Sequence, residues 1–141
     1  MCGFTGYFEP RSNGDGQQIK EMLWLQKHRG PNDSGFAAID FEKNKIYNYH
    51  DHQSIQNLSA GSLIIGFNRL SILDVSENGH QPMSNEDGDV VFMMNGEVYN
   101  AFDYKEKLEK LGYKFKGGSD SEVVFNLYLE YGIQGMVERL N

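Results

Sequence analysis

The chain has one cysteine, Cys2, in 141 residues, so no disulfide can form within it. Its three prolines do not gather into a stiff linker. Basic residues are in deficit, 13 lysines and arginines against 20 aspartates and glutamates, a formal net charge of -7. No basic patch exists to neutralise a phosphate backbone, which argues against nucleic acid as a partner. No apolar run approaches the roughly 18 residues needed to cross a bilayer, and the N-terminus lacks the basic and apolar regions of a signal peptide. These absences point to a reducing, cytoplasmic setting and exclude a membrane partner. Repeats and low-complexity segments are also missing, so residues 1–141 are expected to form one domain.

Residues 4–8 read as a strand, followed by turn chemistry in Asn13-Gly14-Asp15-Gly16. Ile19, Met22, Leu23 and Leu25 give a helical stripe over residues 17–28, stopped by Gly30-Pro31. Residues 36–40, 45–49 and 62–67 read as antiparallel strands, and the apolar run 89–94 as a strand buried on both faces. Tyr104, Leu108 and Leu111 predict a helix with Gly112 as a left-handed cap, and residues 113–115 a short strand. Ser119 and Glu122 have capping-box spacing ahead of a stripe of Val123, Val124, Leu127, Tyr128 and Tyr131. A shorter stripe, Ile133, Met136, Val137 and Leu140, follows Gly132. Strands before helices, without regular alternation, predict the α+β class.

Several residues could carry chemistry, each with a bland alternative. Cys2 could be a small buried hydrophobe. If Met1 is removed, however, its own α-amine, with a pKa of about 7.7 to 8.0, can serve as base for its thiol. His28-Arg29-Gly30-Pro31 reads most simply as a helix stop and tight loop. Asn95-Gly96-Glu97 is either a hairpin turn or a pair of donors for an oxyanion. Lys116-Gly117-Gly118-Ser119-Asp120-Ser121 is either a capped helix start or an anion-binding loop of the pyrophosphate type. His50 and His52 form a histidine-only pair without carboxylate or thiolate company, so no metal is assigned.

Taken in order, Cys2-Gly3-Phe4, His28-Arg29-Gly30-Pro31, Arg69-Leu70-Ser71-Ile72-Leu73-Asp74, Gly79-His80-Gln81-Pro82-Met83, Asn95-Gly96-Glu97-Val98-Tyr99-Asn100 and Ser119-Asp120-Ser121-Glu122-Val123 cover nearly the whole chain. This set resembles the class II glutamine amidotransferases, and in its wording the asparagine synthetase branch. The resemblance implies an N-terminal-nucleophile hydrolase fold, a four-layer αββα sandwich. It also implies that L-glutamine is the substrate, with Cys2 as nucleophile and the Asn95 side chain and Gly96 N–H as oxyanion donors. Arg69 would hold the α-carboxylate, Glu97 and Asp120 the α-ammonium, and the backbone of Leu70, Ser71, Ile72 and Leu73 would line the pocket. A guanidinium fork suits a carboxylate and paired carboxylates suit an ammonium.

The resemblance further implies that this half-reaction needs no cofactor, ATP and magnesium belonging to a separate synthetase domain. That domain is a partner expected on a longer parent chain and absent here. Asn32 stands where the family more often has aspartate, outside the residues assigned to glutamine. The family pattern continues beyond Asn141, so the domain is expected to be partial, to lack its last strands, and to form a homo-oligomer through the uncovered edge. Three readings stay open: a glutaminase, a non-catalytic remnant or interaction module that keeps the fold, and a nucleotide-binding domain using residues 117–121.

Overall fold

β1 (Gly3–Phe8), β2 (Asp33–Asp40), β3 (Lys45–Tyr49) and β4 (Leu63–Arg69) form one antiparallel sheet in the order β1-β4-β2-β3. These coordinates come from a computed structural model, which describes residues 1–8, 10, 16–50 and 52–141; the predicted turn at residues 13–15 lies outside them. The contacts divide the chain into two compact units, Met1–Leu70 with His80–Asn95, and Ser71–Gly79 with Gly96–Asn141. The mixture of antiparallel sheet and helices is α+β.

In the first unit, α1 (Gly16–Leu25) lies on one face of the sheet. Its Ile19 and Leu23 pack with Phe36, Ala38, Ile55, Leu58 and Ile64 into the core, flanked by Tyr7, Met22, Tyr47 and Tyr49. Each large side chain buried here contributes roughly 1.5 to 3 kcal/mol. Side chains alternate along a strand, so Ile64, Gly66 and Asn68 face α1 while Phe67 and Arg69 face away. The helix stops sooner than its sequence stripe predicts, giving way to a 3₁₀ turn at Lys27–Arg29. The reason is local: the Leu23 carbonyl already accepts from Gln26 N at 3.0 Å and from the Asn68 side chain at 2.7 Å.

The expected doubly buried strand at residues 89–94 is corrected. Only Val91–Phe92 (β6) pairs, with Met83–Ser84 (β5), and residues 90–94 are half-buried. The Met94 N–H is taken by the Gln81 side chain at 2.7 Å, a partner that replaces a strand ladder.

The second unit carries a 3₁₀ turn at Ala101–Tyr104, α2 (Lys105–Lys110) and α3 (Asp120–Val137). Gly112, at φ 101, caps α2 as predicted: Gly112 N donates to Glu109 O and Tyr113 N to Leu108 O, a Schellman motif. That last bond turns the chain, and residues 113–115 form no strand. Ser119 caps α3, its Oγ accepting from Glu122 N at 3.2 Å. A second left-handed glycine, Gly132 at φ 69, breaks α3 where the two apolar stripes meet. Beyond the break Met136 is buried, whereas Ile133 and Val137 are exposed. No helix among the described residues is long and apolar enough to cross a membrane.

Candidate active site

The register of β1 on β4 sets Gly3 opposite Asn68, which brings Cys2 to the end of β4. There the Leu70 N–H donates to Cys2 Sγ at 3.3 Å, and the thiol faces the Leu70 carbonyl at 3.9 Å. The two contacts with the Leu70 backbone fix the direction of the Cys2 side chain. The Cys2 carbonyl is held from two sides, by Arg29 Nε at 2.9 Å and Asn95 Nδ2 at 3.0 Å. Two sequence-predicted residues, Cys2 and Asn95, are thus brought into direct contact. Arg29 stands beside Cys2 although the sequence assigns it no role; its signal lies in the His28-Arg29-Gly30-Pro31 cluster, which reads most simply as a loop. Gly30 follows for a steric reason, since a Cβ there would collide with the Asn68 carbonyl.

Arg69, 7% exposed, ends β4 opposite Asp33 at the start of β2, and its carbonyl accepts from Asn32 N at 3.1 Å. Asp33 Oδ2 lies 2.6 Å from His80 Nδ1; a carboxylate only accepts, so this ring nitrogen carries the proton. The His80 hydrogen bond outweighs partial burial and, helped by the charges of His80 and Arg69 and the Ser34 N–H, holds the Asp33 carboxyl below its ordinary range. The His50 and His80 rings lie 4.9 Å apart. Among the described residues no group of three or more His, Cys, Asp or Glu could hold a metal ion.

A partly buried polar chain supports this end of the sheet. Lys27 Nζ donates to Ser34 Oγ at 3.1 Å, Ser34 Oγ to Asn68 Oδ1 at 2.8 Å, and Asn68 Nδ2 to the Leu23 carbonyl. Asp40, fully buried, is structural rather than catalytic. Burial alone would raise its pKa, but the Ser59 and Lys43 N–H groups and the Lys43 ammonium overcome this and push it far below the usual carboxylate range.

The remaining assigned residues, Ser71, Ile72, Leu73, Gly96, Glu97 and Asp120, belong to the second unit. Ile72, Leu73 and Glu97 are exposed, whereas Asp120 is buried. Asp120 Oδ2 accepts from Val98 N at 2.9 Å, and Oδ1 from Ser121 N at 2.8 Å and Ser121 Oγ at 3.4 Å, so the spare lone pair for a further donor is on Oδ2. No hairpin ladder follows Asn95-Gly96, so the plain turn reading of that motif is set aside. The glycine-rich loop is not an open anion cradle either. Glu122 takes the N–H groups of Lys116 and Gly117 at 2.7 and 2.9 Å, and Asp74 takes that of Gly118 at 2.8 Å. A phosphate there would meet two carboxylates, which removes the basis for a nucleotide-binding loop.

Residues 1–141 match the family model described as a glutamine amidotransferase domain. The chain is 38% identical over 135 residues to glutamine-hydrolyzing asparagine synthetase 1 of Bacillus subtilis, a match covering 93% of this chain and 18% of that protein. It is 34% identical over 152 residues to putative glutamine-hydrolyzing asparagine synthetase 2 of Methanocaldococcus jannaschii, covering 98% and 26%. Amidase chry2 of Gibberella zeae is 34% identical over 144 residues, covering 94% and 18%. The chain belongs to the glutamine amidotransferase domain family. It spans only about a fifth to a quarter of the length of these relatives.

Proposed function

We propose that this chain hydrolyses the side-chain amide of glutamine to glutamate and ammonia. The Cys2 sulfur attacks the amide carbon, the C–N bond breaks, and ammonia leaves with the proton that the thiol gave up. Water then attacks the γ-glutamyl thioester, releasing glutamate and restoring the thiol. The observation that carries this reading is the setting of Cys2, its sulfur facing the Leu70 N–H and its carbonyl held by Arg29 and Asn95.

In this reading Arg69 takes the α-carboxylate of glutamine, Glu97 and Asp120 take its α-ammonium, and the backbone at residues 70–73 lines the pocket. The Asn95 side chain and the Gly96 N–H stabilise the tetrahedral oxyanion, where loss of one donor typically costs roughly 2.7 to 4 kcal/mol of barrier. Hydrolysis of glutamine needs no cofactor; ATP and magnesium belong to a synthetase domain on a longer parent chain, which would use the ammonia to make asparagine. Names of the relatives support that parent activity. A partial glutaminase domain, the family's αββα sandwich, a cytoplasmic setting and self-association through an open sheet edge complete the proposal.

Glutamine-dependent ammonia release, compared between the wild-type chain and Cys2→Ala, tests it. Release that Cys2→Ala abolishes supports the reading. Glutamine binding without any release from processed protein would favour the non-catalytic remnant instead.

A further inference from the structure

Asp74 has no role in the chemistry above, yet it ties together two segments of the second unit that the proposed function places on the substrate. Its Oδ1 accepts from Ser76 N at 2.8 Å and from Ser76 Oγ at 2.6 Å, closing a turn at the end of residues 71–74. Its Oδ2 accepts from Gly118 N at 2.8 Å, forty-four positions away in sequence. Gly118 precedes Asp120 by two residues. Asp120 in turn receives the Val98 N–H, next to Glu97. Two carboxylates therefore stitch three stretches of backbone: Asp74 joins the 71–74 segment to the loop before α3, and Asp120 joins the start of α3 to the segment after Asn95.

We propose that Asp74 is a positioning residue for glutamine, holding the Gly117-Gly118 loop so that Asp120 and the 71–73 backbone present one arrangement to the substrate's α-amino end. The inference rests on the glutaminase reading. Bonds from backbone N–H groups to a carboxylate are charge-assisted and short, so they set geometry more firmly than neutral ones. Gly117 shows how closely the parts fit, because a Cβ on it would run into Asp74 Oδ2, with Asn78 Cβ next at 3.1 Å. A Cβ on Gly118 would meet nothing within 4 Å. The glycine pair is thus asymmetric, the first glycine being needed to admit the Asp74 carboxylate.

Three variants test the proposal. Asp74→Asn keeps an acceptor for Ser76 or for Gly118 but not for both. Gly117→Ala leaves Asp74 in the chain and displaces its carboxylate. Gly118→Ala is the control, since the added methyl is unopposed. Holding the ammonium is binding shared by ground and transition states, so the expected signature is a glutamine KM raised about tenfold with kcat changed less than about threefold in the first two variants. Gly118→Ala should behave as wild type. In the labelled full chain, hydrogen exchange at the Gly118 amide should speed up about tenfold in Asp74→Asn and Gly117→Ala.

Unchanged KM alongside faster Gly118 exchange would overturn the positioning role, and exchange unchanged in both Asp74→Asn and Gly117→Ala would overturn the Asp74 bond itself. Loss of kcat rather than KM would also overturn it, placing Asp74 in the chemistry. Should the wild-type chain neither bind nor hydrolyse glutamine, the functional reading falls and the positioning role with it; the exchange measurement still decides separately whether Asp74 holds the loop.

Discussion

The Asn95 side-chain amide donates to the main-chain oxygen of Cys2 at 3.0 Å. One N–H of that amide secures the Cys2 backbone, and in the glutaminase proposed above the second would be left for the oxyanion. Arg29 shares the first task from the other side of the same carbonyl.

Asn95→Ala should then act on the chemical step. We expect kcat to fall on the order of a hundredfold or more, with glutamine KM changed far less. Steady-state kinetics check this, and equal losses in kcat and binding would return Asn95 to a purely structural turn. A double-mutant cycle with Arg29→Leu should be non-additive, because both side chains serve one acceptor.

Arg69→Lys should weaken glutamine binding by about tenfold or more while leaving the thermal transition near that of wild type, because a point charge cannot reproduce a bidentate grip on a carboxylate. Calorimetric titration on a Cys2→Ala background measures it without turnover. An unchanged affinity would take Arg69 out of the site.

The Asp33 and His80 pair makes a prediction about acid. A carboxyl whose folded pKa lies below its unfolded value of about 3.9 stabilises the fold above that pH, and the contribution disappears as pH falls through the lower, folded value. Asp33 is lowered in this sense, chiefly by the His80 hydrogen bond. Asp33→Asn should therefore reduce the midpoint of urea unfolding near pH 6, and the difference should shrink as pH falls below the ordinary carboxyl range and through the lowered folded value. A destabilisation of the same size across that range would mean that Asp33 acts through shape and not through charge.

Processing of Met1 should decide activity. With methionine retained, the nitrogen of Cys2 is an amide whose lone pair is delocalised into the carbonyl, so it cannot take the thiol proton. Protein shown by intact mass to retain Met1 should release no ammonia and label poorly with a glutamine-like diazoketone, whereas processed protein does both. Equal activity in the two would transfer the base to a histidine such as His28 or His80.

Much of the sheet was legible because polar segments separate short runs rich in strand-forming residues, and the cap at Gly112 because a helix end in the left-handed conformation favours glycine. Two strands were over-read for a shared reason. Residues 89–94 and 113–115 have strand-like side chains, but their backbone donors find other partners: Met94 N reaches the Gln81 side chain, and Tyr113 N returns to Leu108. Periodicity reports what side chains prefer and is blind to such bonds. The same limit hid Arg29, whose part in the site is a contact with backbone at Cys2. Half of the expected capping box formed, with Ser119 bonding Glu122 N, while the Glu122 carboxylate turned to Lys116 and Gly117. That detail decided against an anion site, and spacing alone could not show it.

Asn68 sits opposite Gly3 in one ladder and Ser34 in the other, and its amide is spoken for on both sides, by Ser34 and by the Leu23 carbonyl. Sliding β4 by one position would turn this amide and Gly66 away from α1 and drive Phe67 into their place. Misplacement of the sulfur relative to Leu70 is therefore quantised: it can come in whole residues, each requiring the ladder to be dismantled, and hardly at all in the small drifts to which a nucleophile on a free-standing loop is prone.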